Sequence, residues 1–82
     1  MFGDGSTVAT STVELMIEFR CERFYGFWKV SRGRWLLSYY RTQEEAQTAA
    51  IGFARDAIEK GADAVVLVQS DKSDMVKVVF EA

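Results

Sequence analysis

Apolar and polar residues alternate along the chain between residues 12 and 21. The apolar positions of this stretch are Val13, Leu15, Ile17, Phe19 and Cys21. The residues between them are mostly charged or polar, and a period of two with one charged face is typical of a half-buried strand. Residues 1–11 are small and polar and contain glycine, which predicts a flexible N-terminal tail.

Two further strands are predicted over residues 24–31 and 34–41, which are rich in aromatic and β-branched side chains. Arg32 and Gly33 lie between them, and glycine suits the positive φ of tight hairpin turns. The arginine leaves the length of the turn open, at two residues or three. The pattern therefore predicts a hairpin whose register depends on the turn.

A helix is predicted from residue 43 to residue 60. Thr42 and Glu45 have the spacing of a capping box, and Gly61 supplies the left-handed residue that ends many helices. The apolar stripe of this helix is spaced by three and four residues and consists of Ala46, Ala49, Ala50, Phe53, Ala54, Ala57 and Ile58. Because most of these side chains are alanines, we expect the helix to lie close to a sheet.

The last two strands are predicted over residues 64–69 and 75–81, with a polar turn over residues 70–74. The order of elements is then β-β-β-α-β-β. This order predicts a single α+β domain over residues 12–82, in which one helix packs on one face of an antiparallel sheet.

The predicted hairpin has large apolar side chains on both of its faces. With a two-residue turn, the face away from the helix carries Tyr25, Phe27, Leu36 and Tyr40. With a three-residue turn, Trp35 and Tyr39 move to that face. Since one helix covers one face only, we expect the second face to be buried in a homo-oligomer, with a two-fold dimer favoured. The alternative is that these side chains simply remain partly exposed.

Charge is distributed unevenly, although the formal net charge is only −2. Six basic residues and one acidic residue lie between positions 20 and 41. Lys29, Arg32 and Arg34 cluster near the hairpin turn, and arginines interleaved with aromatic rings are typical of surfaces that bind nucleic acid. Nucleic-acid binding is therefore the alternative hypothesis, which the negative overall charge disfavours.

Catalytic and metal-binding chemistry has little support in the sequence. The chain has no histidine, and its single cysteine, Cys21, falls on the apolar side of the first strand. Asp71 and Asp74 lie in a polar turn that lacks the spacing of a calcium loop. We therefore expect no enzyme activity, no cofactor and no metal.

The location of the protein is predicted from the same features. A single cysteine excludes an internal disulfide, and no stretch has the length and apolar character of a membrane helix or the pattern of a signal peptide. These features predict a cytoplasmic protein without a membrane partner.

Four short motifs carry a resemblance to known domains: Trp-Lys-Val at 28–30, Gly-Arg-Trp at 33–35, Thr-Gln-Glu-Glu-Ala at 42–46 and Gly-Ala-Asp-Ala-Val-Val at 61–66. The chain resembles a group of short uncharacterised bacterial proteins that have such a hairpin, helix and final strand. This resemblance implies a bacterial source and brings no activity with it.

A fainter resemblance is to the arm-type DNA-binding domains of phage-like integrases, in which a three-stranded sheet precedes a helix. It implies that a sheet face with Lys29 and Arg34 would enter a DNA groove. The present chain departs from that pattern because two strands follow its helix. We therefore expect a non-enzymatic interaction module that self-associates through the aromatic hairpin, with nucleic-acid binding as the alternative.

Overall fold

The computed structural model describes residues 16–81, which form one α-helix and five strands. The elements are β1 (Met16–Phe24), β2 (Phe27–Arg32), β3 (Trp35–Tyr40), α1 (Gln43–Glu59), β4 (Asp63–Gln69) and β5 (Met75–Val78). The predicted tail, 1–11, and the first residues of the predicted first strand, 12–15, lie outside the described residues. The α+β class and the order β-β-β-α-β-β are confirmed.

The five strands form one sheet in the order β3-β2-β1-β4-β5. Neighbouring strands are antiparallel except β1 and β4, which run parallel with Ile17 opposite Ala64 and Cys21 opposite Val68. The sheet is thus mixed, whereas the sequence predicted antiparallel pairs throughout. The reason is that α1 carries the chain from the edge strand β3 across the sheet and returns it beside β1 in the same direction.

Both ends of α1 are capped at the predicted residues, but the Glu45 carboxylate accepts from the Thr42 hydroxyl at 3.3 Å, where a capping box has it accept from the Thr42 backbone amide. The Thr42 hydroxyl accepts a hydrogen bond from the Glu45 amide at 3.1 Å, which satisfies one of the unpaired donors of the first turn. At the other end Gly61 has a φ of +96°. The Ala62 and Gly61 amides donate to the carbonyls of Ala57 and Ile58 at 3.0 Å, which is the Schellman arrangement.

The core lies between α1 and one face of the sheet. Its buried members are Phe19, Cys21, Val30, Ala46, Ala50, Ala54, Val66 and Val68. The helix contributes only alanines to this set, so its backbone comes close to the strands. The Cys21 thiol accordingly donates a hydrogen bond to the carbonyl oxygen of Ala46, with a sulfur–oxygen distance of 3.6 Å.

The hairpin β2–β3 turns through Gly33 and Arg34, one residue later than the predicted turn. Arg32 pairs with Trp35, and Gly33 has the positive φ (+58°) that a two-residue hairpin turn requires at its first position. A β-bulge then shifts the register, so that Ser31 pairs with Leu36 but Val30 pairs with Ser38. Each predicted register kept the same pairing offset along the whole hairpin. The bulge instead gives the hairpin two offsets, one on either side of it.

Candidate interaction surface

The face of the sheet opposite α1 is here called the open face. Among residues 16–81, no helix packs against it, because α1 lies on the side of Phe19, Cys21, Val30 and Val66. Side chains of the intervening strand positions lie on this face, and all of them except Ser31 are at least partly exposed. The open face is the natural place to look for a binding surface.

Four aromatic side chains gather at one end of the open face, beside the β1–β2 turn. This aromatic cluster consists of Phe24, Tyr25, Phe27 and Tyr39, which alone line a cavity of about 480 Å³. Phe24 meets Tyr25 edge-on with ring centroids 4.7 Å apart, and stacks on Tyr39 at 5.7 Å. All four side chains are exposed, so the cluster is an apolar surface and not part of the core.

Tyr25 occupies an unfavourable backbone position within this cluster. Its φ is +48°, a left-handed conformation that costs a non-glycine residue about 1–2 kcal/mol. Its side chain is 88% exposed, so burial within the domain does not offset this cost. Tyr25 and Gly26 are the two turn residues between the paired Phe24 and Phe27, and a hairpin turn of this length with positive φ at both positions accounts for the conformation.

The middle of the open face is polar. Glu18, Arg20 and Glu22 alternate along β1 with residues of the core, and Arg20 forms an ion pair with Glu18 at 3.2 Å. Glu22 lies opposite Lys29 on β2, whose ammonium nitrogen is 5.1 Å from the centre of the Phe24 ring. This charged strip has both signs interspersed, so it is not a strong field for either cations or anions.

Only part of the predicted interface lies on the open face. Tyr25 and Phe27 belong to the aromatic cluster, and Leu36 lines the neighbouring groove. Tyr40 does not lie with them, because the bulge directs it to the helix side, where it packs against the core. Of the two substitutes that a slipped register predicted, Tyr39 lies in the cluster.

The other substitute, Trp35, lies at the far end of β3, where it lines a groove with Ile17, Arg32 and Leu37. Leu37 also lines the helix-side groove with Phe53, so this end of β3 exposes its apolar residues towards the helix side. Trp35 itself is 71% exposed. Tyr39 follows the bulge in β3 and is shifted to the open face, whereas Trp35 precedes the bulge and stays on the helix side.

The three residues predicted to contact nucleic acid do not share a face. Lys29 and Arg34 line one groove on the open face together with Arg20, Glu22 and Tyr39. Arg32 lines the helix-side groove beside Asp56 and Lys60 instead. The predicted basic patch is therefore reduced to its open-face members, and an acidic side chain lies among them.

Phe24 is a member of the cluster that the sequence reasoning missed. It continues the alternation of the charged positions of β1, and this parity by itself assigns it to the open face. The sequence signal for Phe24 was an aromatic residue on the otherwise charged side of an amphipathic strand.

The remaining chemical candidates lie elsewhere. Burial, and to a smaller extent the negative charge of Glu22, raises the pKa of the Cys21 thiol to about 11, which makes it an unreactive core thiol. No group of three or more potential metal ligands occurs within residues 16–81. The helix-side groove holds about 270 Å³, slightly less than the roughly 300 Å³ at which ligand sites usually begin.

Comparison with known proteins adds no assignment: no family model, curated protein or solved structure matches this chain. The one helix within residues 16–81 lacks the length and apolar character needed to cross a membrane.

Proposed function

We propose that this domain is a non-enzymatic interaction module that self-associates through the hairpin β2–β3 and its open-face aromatic residues. The observation that supports this proposal is the aromatic cluster of Phe24, Tyr25, Phe27 and Tyr39, which no described element covers. Leu36 extends the same apolar surface along β3. The interface residues proposed are Tyr25, Phe27, Leu36 and Tyr39, with Tyr39 taking the place that the sequence assigned to Tyr40.

The size of the cluster supports a binding role. An aromatic side chain buries about 150–250 Å² when it is fully enclosed, and roughly half of this is exposed in the four rings, which leaves on the order of 400 Å². The largest apolar patch on a monomeric protein is about 300–600 Å² and is often functional. The exposed area of the aromatic cluster lies within this range.

The partner proposed is a second copy of the chain. A two-fold dimer brings the same surface of both copies together, so apolar hairpin side chains meet apolar hairpin side chains. The charged strip beside it contains both signs, so like charges need not oppose one another across the interface. Such a contact depends on apolar burial, and we expect it to survive high salt.

Nucleic-acid binding is the second candidate. It is favoured by the groove that Lys29 and Arg34 line beside Tyr39, since basic side chains next to an exposed ring suit a single strand. Glu22 lines the same groove and repels phosphates, and Arg32 lies on the other side of the sheet. These two placements make it the weaker candidate.

Light scattering on a size-exclusion column separates the two candidates. The chain is run at low and high salt, with and without a mixed-sequence DNA duplex and a single strand. We expect a salt-insensitive dimer that ignores the nucleic acid. A monomer that binds DNA only at low salt, and loses this binding in Arg34→Glu, would establish the second candidate.

A matched pair of variants tests the surface itself. Tyr39→Asp places a charge in the aromatic cluster and is expected to yield a folded monomer. Val79→Asp places the same charge at an exposed apolar position beyond β5 and is expected to remain a dimer. If both variants keep the parent mass with intact circular dichroism, the hairpin is not the interface.

A further inference from the structure

The two edges of the sheet differ in strand length and in charge. β3 and β5 are the edge strands. β5 has only four residues, one of which is Lys77, and the chain beyond it is held to α1 by a 2.7 Å hydrogen bond from the Arg55 guanidinium to the Glu81 carbonyl. Short length and an edge lysine are devices that prevent strand pairing between molecules.

β3 has neither of these two devices, although it carries a bulge opposite Val30 and Ser31, and bulges are a third way to turn an edge away from a partner strand. It has six residues, Trp-Leu-Leu-Ser-Tyr-Tyr, with no charged residue and no proline. Trp35, Leu36, Leu37 and Tyr39 are all exposed. Alternate residues of an edge strand direct their N–H and C=O groups away from the sheet, so β3 offers backbone hydrogen bonds as well as apolar side chains.

From this we infer that the outer edge of β3 pairs antiparallel with β3 of a second copy about a two-fold axis, which joins the two sheets into one of ten strands. The inference rests on the proposed function and specifies its geometry. The two-sided character of the hairpin agrees with it, because edge pairing buries side chains on both faces of β3. A contact between two open faces leaves Trp35 uncovered.

The bulge in β3 makes the strand complementary to itself. It places Leu36 and Tyr39 on the open face, three residues apart, and Trp35 and Tyr40 on the helix side. A two-fold axis between Leu37 and Ser38 sets Leu36 beside the partner's Tyr39 and Trp35 beside the partner's Tyr40. Each close cross-strand neighbour at these positions is then apolar, and no like charges meet.

The area available sets the expected strength. The exposed parts of the four side chains on β3 amount to on the order of 400 Å² per copy. This is about half of the roughly 800 Å² per partner in interfaces of standard size. We therefore expect a dimer that dissociates on dilution, and the test is run as a concentration series.

Charge placed on the β3 edge tests the geometry. Trp35→Lys lies on the helix side, where open-face packing does not reach, and is expected to halve the mass measured by light scattering. Val76→Lys is the matched control, since Val76 is an exposed aliphatic residue on the other edge strand and is expected to stay dimeric. Phe27→Asp, on the neighbouring strand β2, is expected to weaken the dimer less than Trp35→Lys does, because Phe27 flanks the paired strand and does not lie on it. Circular dichroism confirms that each variant is folded.

A cross-link supplies a readout that does not depend on loss of assembly. With the axis between Leu37 and Ser38, Ser38 lies opposite the partner's Leu37, and the two Ser38 residues are offset by one residue (about 3.3 Å) along strands about 5 Å apart. Their Cα atoms are then about 6 Å from each other, which lies within the disulfide range of about 4.4–6.8 Å. Ser38→Cys, close to the proposed axis, is expected to form a covalent dimer with oxidised glutathione, whereas Val76→Cys is not. The native Cys21 is fully buried and does not compete.

The outcomes separate the two proposals. A dimer that Phe27→Asp dissociates and Trp35→Lys does not, without a Ser38→Cys cross-link, overturns edge pairing and leaves self-association through the open face. Disruption by Val76→Lys with an intact Trp35→Lys dimer overturns the choice of edge. A parent chain that remains monomeric at roughly 0.5 mM overturns both proposals, since a dimer whose Kd lies below that concentration would be populated.

Discussion

The same substitution, glycine to alanine, is expected to have opposite effects at two positions of this domain. Gly52 lies within α1 and Gly61 directly follows its C-cap. Apart from the adjacent residues and the backbone of its own helix, a Cβ added at either position meets no atom of residues 16–81 within 4 Å, so steric clash plays no part in the comparison. What differs is the backbone, because only Gly61 has a left-handed φ, of +96°.

The magnitudes follow from this difference. Alanine in a helix interior is more favourable than glycine by about 0.5–1 kcal/mol, so Gly52→Ala should stabilise the domain by that amount. For domains of 60–100 residues, 1 kcal/mol shifts Tm by about 4–8 °C. At Gly61 the left-handed conformation costs alanine about 1–2 kcal/mol, partly offset by the smaller entropy of its unfolded chain. Gly61→Ala should therefore destabilise the domain by about 1 kcal/mol.

Urea unfolding followed by circular dichroism measures both effects. We expect the midpoint to rise for Gly52→Ala and to fall for Gly61→Ala, with an unchanged dependence on urea concentration. Both variants are measured at one protein concentration, because dimerisation adds to apparent stability. Shifts of the same sign for both variants would refute the reasoning, since they would show that backbone conformation does not govern these positions.

Three further predictions concern the core and the cluster. Phe19→Ala should lower the free energy of unfolding by about 3–5 kcal/mol, which is much of the roughly 4–12 kcal/mol expected for 82 residues. Phe53→Ala, on the outer side of the stack whose ring centroids are 6.1 Å apart, should cost less in the same urea assay. Because the pKa of Cys21 is raised, its contribution to stability is complete below pH 9.0 and declines by about 3 kcal/mol as pH rises through about 11. Cys21→Ala should remove this loss of stability at high pH. Tyr25→Asn should stabilise the monomer by up to about 1 kcal/mol, because asparagine tolerates a left-handed φ, and should weaken self-association, whereas tighter association would contradict the role proposed for the ring.

Local chemistry accounts for the parts of the fold that the sequence predicted well. Thr42 caps α1 and Gly61 ends it because each acts on backbone groups a few residues away. The alternation along β1 likewise identified Cys21 as a core residue, since a strand with one buried face reveals its sides by period two. These features need no knowledge of distant contacts.

The direction of β4 depends on distant contacts, in contrast to the helix caps and the alternation along β1. Its apolar run predicted a buried strand, and it is one, but pairing with β1 in parallel depends on where α1 returns the chain. A helix with an alanine stripe packs on a sheet equally well above several strands. Only the assembled sheet decides which neighbour β4 meets and in which direction.

The candidate surface was likewise predictable from the sequence only in part. Composition and alternation are properties of the chain, and they were enough to show that the hairpin has too many large apolar residues for one helix to cover. They left open which of Tyr39 and Tyr40 is exposed. One additional residue in β3 reverses the side of every residue beyond it, and whether a strand absorbs such a residue depends on packing against β2 and α1. Tyr40 therefore joins the core and Tyr39 the open face for a reason that exists only in the folded molecule.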